Sequence, residues 1–404
     1  MVQLLKKHTN IALAYFLLVG LMGVFLRLFY IFPIPANYGF IVHAHSHVAL
    51  LGWVYIALVT LIYKLYLSET GKSRLYRRII WFTNICIIGM LLSFPFQGYA
   101  FISIIFSTLF LIATYWLAWF IFKHIPKKYK KANSYVCIKA SIWYMILSSI
   151  GPWAVGGVMA TLGKASVWYK LSIYFYLHFQ YNGWFILALI GILFYIMEQL
   201  SVKTDRKQFR SFFLLLNISI ILSFFLSVLW TKPPVIFYIL AAVGAIVQML
   251  AFYYFFRILH DAWPVFKKKL SPRVLKLLKL SGLLLTVKIL FQLLSALPYF
   301  ANLALLYKDF VIGYLHWTFL GVVSLCLFAF LEHFKLVRLN WQILILYLIG
   351  FIFSELLIFY RGMQLWLRWP SFAEYPVLLT IISALIPLAV GILLVKNLTS
   401  NTKF

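Results

Sequence analysis

Hydropathy along the chain alternates between long apolar stretches and short polar breaks. The apolar stretches reach about 20 residues or more, the length a helix needs to cross hydrocarbon. Twelve of them fall at approximately 10–32, 39–63, 79–97, 100–122, 135–160, 171–197, 211–231, 234–256, 280–302, 310–331, 341–360 and 376–396. The breaks carry basic clusters at Lys6 and Lys7, Lys72 to Arg78, Lys123 to Lys131, Lys203 to Arg210, Arg257 to Lys279 and Lys335 to Arg338. With twelve spans, every cluster falls on one side, together with both termini. About 28 of the 36 Lys and Arg lie there, which by the positive-inside rule makes that side the cytoplasm. The expected location is therefore a bacterial-type inner membrane, crossed many times, with N- and C-termini cytoplasmic. The first apolar stretch follows Lys6 and Lys7 and ends in Tyr30-Ile31-Phe32-Pro33 without a small-residue cleavage site, so it reads as a retained span.

No break is long enough for a separate domain. The pattern predicts an all-α polytopic membrane protein, one membrane domain over residues 1–404.

Composition sharpens this picture at two points. The chain is 64% hydrophobic and only 11% charged, which excludes an ordinary soluble domain, where about a quarter of residues are charged. A net charge of +28 would suggest a nucleic-acid partner in a soluble protein. Here the basic residues belong to cytoplasmic loops, so the expected partner is the lipid bilayer and not nucleic acid. Cys86, Cys137 and Cys326 are isolated within spans, with no Cys-x-x-Cys pair and no Cys-x-x-Cys-His for covalent haem attachment.

The second span carries His43-Ala44-His45-Ser46-His47, followed by Gly52-Trp53. Histidine at hydrocarbon depth is costly unless it has a partner, so three in five residues mark a functional site by default. On a helix, His43 and His47 share a face and His45 points roughly the opposite way. The sixth span repeats the signature as His178…Gly183-Trp184, and the tenth as His316…Gly321. The spacings are 131 residues from His47 to His178 and 138 from His178 to His316, with four spans between copies. The simplest reading is twelve helices in three pseudo-repeated four-helix units, at approximately 10–131, 132–269 and 270–404. All three spans run from outside to inside. Their histidines lie about 6–12 Å below the outer surface at 1.5 Å per residue. The remaining histidines, His8, His124, His260 and His333, fall in or beside cytoplasmic loops and read as solvated.

Histidines at one depth on three helices can ligate a metal or haem iron, relay protons, or hydrogen-bond a neighbouring helix. With no Cys or paired carboxylates at that level, a zinc hydrolase is not indicated. The outer loop between the last two spans adds Arg361 and Arg368, on the side with few charges. Arginine pairs well with carboxylates, including the propionates of a haem near that face. Mid-span ionisable groups are confined to Lys288 and Glu355, whose roles the sequence leaves open.

These residues resemble subunit I of the haem-copper oxidases, which also has twelve helices in three pseudo-repeated units. The cbb-type branch, the C-family, is most similar. His43-Ala44-His45-Ser46-His47…Gly52-Trp53 looks like the His-x-His…Gly-Trp stretch of that family's tenth helix. His178…Gly183-Trp184-Phe185 looks like its sixth helix, where a copper-ligating histidine sits, and Arg361…Gln364…Arg368 is similar to its propionate-binding loop. The resemblance implies a low-spin haem b between His43 or His47 and His316, with His178 as a distal metal ligand to copper. His45 joins the cofactor-binding set, and His43, His47, His178 and His316 form the metal set. The chain departs from the family where the tenth span has Tyr314-Leu315-His316 in place of His-x-His, and where the seventh span has no histidine. The chain also resembles twelve-span nitric oxide response proteins of the NnrS type. The expected function is haem binding with an electron-transfer role, or binding or reduction of a diatomic gas, O2 or NO. An oxidoreductase of this kind would need a separate electron donor or cytochrome c subunit. Non-haem copper handling, a nitric oxide response without oxidase activity, and a transporter using the histidines for protons or packing are the alternatives.

Overall fold

The long apolar stretches form helices because, away from water, each backbone N–H and C=O must find its partner within the segment. The computed structural model of the protein describes residues 1–399, and among these there is no strand. The helices are α1 (Val2–Leu28), α2 (Tyr38–Leu67), α3 (Ser73–Gln97), α4 (Phe101–His124), α5 (Asn133–Thr161) and α6 (Val167–Gln199). They continue as α7 (Arg206–Thr231), α8 (Val235–Lys269), α9 (Pro272–Ser295), α10 (Pro298–Leu306), α11 (Lys308–His333), α12 (Trp341–Leu367) and α13 (Tyr375–Thr399). Eleven of those described are long and apolar enough to cross a membrane, and the count is twelve if α9 and α10, bent by 103° between them, are together one span. The chain is an all-α, multi-pass membrane protein.

Local chemistry sets the helix boundaries. Asn37 caps α2 by accepting from the Phe40 N–H at 3.1 Å, Asp205 caps α7 through Gln208 at 2.7 Å, and Asn340 caps α12 through Ile343 at 2.9 Å. Ser271 caps α9, with Pro272 at the first helical position, where its missing N–H costs nothing.

Two sequence expectations change. The ninth span, expected as one stretch over 280–302, starts earlier, at Pro272, and bends by 103° between Ser295 and Pro298. The residue before a proline avoids the helical region, and Leu297 is extended (φ −78°, ψ 130°). His8, expected to be solvated, is 1% exposed, and its Nδ1 lies 3.1 Å from the Tyr76 hydroxyl of α3. The first helix begins at Val2 and not near residue 10, which carries His8 into the packed interior. His260, by contrast, is fully exposed beside Asp261.

Burial separates the spans into two kinds. The apolar windows of α2, α6 and α11 are 89%, 94% and 61% buried, whereas those of the other spans lie between 28% and 50%. The three helices with the histidine signature are therefore the interior helices. Packing divides the chain into two compact units, residues 1–126 with 324 onward, and residues 127–323. The first unit contains α1 to α4, the end of α11, α12 and α13, with α1 against α13 and α2 against α3. The second contains α5 to α10 and the start of α11, with α5 against α6 and α7 against α8. This division by packing is a separate matter from the three pseudo-repeats, which concern similarity between spans.

Candidate functional site

Each signature histidine stands immediately before a π-helical stretch. Val48–Tyr55 follows His47, Phe179–Phe185 follows His178, and Trp317–Val323 follows His316. A π stretch widens the helix and is frequent at functional sites. The glycine five residues after each histidine falls inside it. At Gly52 an added Cβ would stand 2.7 Å from Cγ of Tyr15 on α1, and at Gly183 it would stand 2.6 Å from Cβ of Tyr144 on α5. Close helix approach is what the glycines permit.

The tyrosines continue the likeness. Tyr15 donates to Oδ1 of Asn84 on α3 at 2.9 Å, and Tyr144 donates to Oδ1 of Asn217 on α7 at 3.0 Å. Each asparagine returns its amide N–H to its own helix, to Ile80 at 2.8 Å and Phe213 at 2.6 Å. The same three-helix arrangement thus occurs once within each unit, one four-span interval apart. Sequence reasoning found the histidines and glycines of this pattern but not the tyrosines and asparagines, whose matched spacing was its signal.

In the first unit, the span-two histidines lie near the α3–α4 turn, at the end of the bundle away from the basic loops. His47 donates through Nδ1 to the carbonyl of His43 at 2.8 Å. Its ring stacks on Phe94 at 4.4 Å, and its Nε2 accepts from the Tyr99 hydroxyl at 3.4 Å. This is the orientation of a ligating imidazole: one nitrogen anchored to a carbonyl, the tautomer thereby set, the other carrying the lone pair. The His43 ring meets the edge of Tyr99 at 4.7 Å. His45 faces the other way, as expected, with Nδ1 3.1 Å from the carbonyl of Val19 on α1.

In the second unit, His178 is buried and engaged at both nitrogens. Nε2 donates to the carbonyl of Ile220 at 2.7 Å, and Nδ1 accepts from the Asn182 amide at 3.3 Å. The Ile220 carbonyl belongs to the last α-helical turn of α7, before the chain tightens to 3-10 geometry at Ser223–Ser227. To ligate a metal, His178 would have to give up the Asn182 bond. Asn182 in turn accepts from Lys288 of α9 at 2.5 Å. His316 is half-buried on α11, beside Trp317, whose indole donates to the Leu284 carbonyl at 2.9 Å. His47 belongs to the first unit and His316 to the second.

Arg361 and Arg368 differ in environment. Arg361 is half-buried, donates to Gln364 at 3.1 Å and lies over the Tyr375 ring. Arg368 is exposed, in left-handed conformation (φ 56°), and closes α12. A third arginine of this end, Arg27 of α1, was not singled out from sequence. It donates to the carbonyl of Leu379 at 3.2 Å and lies within electrostatic reach of the buried Glu355. Opposite charges at similar depth on separated spans were the signal for that pair.

Among the described residues, no three His, Cys, Asp or Glu side chains gather as a metal site. A haem iron with two axial histidines does not require such a group. No protein-family model matches the sequence, and no curated protein matches it.

Proposed function

We propose that the protein is a haem b-binding protein of a bacterial-type inner membrane, with both termini cytoplasmic, acting in electron transfer or in binding or reduction of O2 or NO. The observation that carries this reading is His47. Its Nδ1 is tied to the His43 carbonyl and its ring is held against Phe94, which aims Nε2 away from its own helix. His316, the matching histidine of α11, would be a further haem-holding residue in this reading, and Arg361 and Arg368 would be the partners for propionates. The placement favours His47 over His43 as the ligand, with the His43 carbonyl as its anchor.

Haem held there would supply one-electron chemistry and binding of a diatomic gas. The chain's own residues do the rest: Phe94 and Tyr99 fix the imidazole plane. To hold copper, His178 would have to give up its bond from Asn182, as His47 would have to give up its bond from Tyr99 to hold an iron. Electron delivery falls to a separate donor, since the sequence has no covalent haem site.

Haem content of purified variants tests the assignment. The reading expects His47→Ala and His316→Ala to lose haem and His45→Ala to keep it. Haem retained at full stoichiometry by both of the first two variants would overturn it.

A further inference from the structure

Lys288 is 1% exposed within the apolar part of α9. A lysine there is expensive, and the usual compensation is a carboxylate. None of the groups in contact with Lys288 among the described residues is a carboxylate. Its Nζ donates to Oδ1 of Asn182 at 2.5 Å and to Oε1 of Gln292, one turn further along α9, at 2.6 Å. The rings of Tyr181 and Tyr314 flank it, each with its centroid 5.9 Å away. The titratable groups facing it are therefore His178 by way of Asn182, Tyr181 and Tyr314. On α8, which also packs against α9, Tyr253 and Arg257 are exposed and Tyr254 is half-buried. On α10, Tyr299 is exposed.

Donor counting shows what such a site can hold. A neutral amine has two N–H donors and one lone pair, and two neutral amide oxygens are present to receive the donors. An ammonium has three donors, and the third finds the faces of two tyrosine rings. Both charge states keep the two amide bonds, so a proton can be bound or released at the position facing the rings without any change of rotamer. A structural cation would be built differently, with an acid alongside.

The orientation of Asn182 is also fixed in advance. Its amide N–H is committed to Nδ1 of His178, and His178 is held by the Ile220 carbonyl. The amide oxygen must then face Lys288. His178 acts here as a positioning residue, through Asn182, and this explains why both its nitrogens are occupied.

We infer that Lys288, with Asn182 and Gln292 as its acceptors, is a proton-binding site in the membrane interior. It takes one proton from solvent water to form the ammonium and returns it to regenerate the amine, with no other bond formed or broken. This assignment stands apart from the haem reading and does not depend on it.

The test is 15N NMR of the full-length protein, labelled on lysine and held in nanodiscs, from about pH 5 to pH 9, a range that brackets the titration of documented buried lysines. The Lys288 Nζ signal is identified by its loss in Lys288→Met. Should that variant fail to fold, Lys288→Gln, which keeps a hydrogen-bonding side chain, serves the same purpose. The expected result is a signal that moves between the ammonium and amine positions within that range. Asn182→Leu should displace the transition while leaving the other lysine signals in place. A Lys288 signal that stays at the ammonium position throughout, or at the amine position throughout, would overturn the proposal.

Discussion

Gly52→Ala would place a methyl group 2.7 Å from Cγ and 2.8 Å from Cβ of Tyr15. Carbon atoms in ordinary contact stand about 3.5–4.0 Å apart, so close to 1 Å must be found. Both obstructing atoms lie at the root of the tyrosine, and rotation about its side-chain bonds cannot carry Cβ away. Either the α1 backbone retreats or Tyr15 leaves Asn84. Overpacking costs about 1–3 kcal/mol. An interhelical hydrogen bond in a membrane protein adds about 0.6 kcal/mol. The expected loss is therefore about 2–3 kcal/mol on the same scales. Unfolding in detergent, followed with a fluorogenic thiol reagent, measures it, because Cys86 and Cys137 are buried reporters. Tyr15→Gly removes both obstructing atoms, so Gly52→Ala added to it should cost less than about 0.5 kcal/mol. Gly183→Ala and Tyr144→Gly should form the same cycle in the second unit. If Gly52→Ala cost as much without the Tyr15 side chain as with it, the close-approach argument would be refuted.

Further outcomes follow from single contacts. Tyr144→Phe removes the bond to Asn217, and should cost about 0.6–1.7 kcal/mol in the same unfolding assay. Asn182→Leu orphans Nδ1 of His178 and one acceptor of Lys288, each worth about 1–3 kcal/mol, so it should destabilise more than Tyr144→Phe; equal effects would contradict the network. Arg361→Ala and Arg368→Ala should each lower the haem midpoint potential in a redox titration, since losing a nearby positive charge favours the oxidised iron, and an unchanged potential would remove them from the site.

Much of the fold was legible because the bilayer imposes one rule on every span. Length and hydropathy alone place α2, α6 and α11. The break between α9 and α10 was harder to see, because Leu297-Pro298 sits inside an uninterrupted apolar run. The site was legible in part. Histidine is rare at membrane depth, so His43, His45, His47, His178 and His316 stood out. Tyr15, Asn84, Tyr144 and Asn217 did not, because tyrosine and asparagine are common and their pairing exists only across helices. Gln292 and Asn182 acquire meaning only beside Lys288, from a different span. His8 was misplaced for a simpler reason: the polar start of α1 reads as a loop, yet packing with Tyr76 extends the helix through it.

A reduced-minus-oxidised optical spectrum of the detergent-purified protein, recorded with and without carbon monoxide, tests the haem assignment most directly. The account predicts a haem b spectrum, lost in His47→Ala and in His316→Ala. Insensitivity to carbon monoxide would specify electron transfer through a bis-histidine iron, and a carbon-monoxide-sensitive band would specify gas binding. No haem absorbance from protein expressed with ample haem would contradict the account.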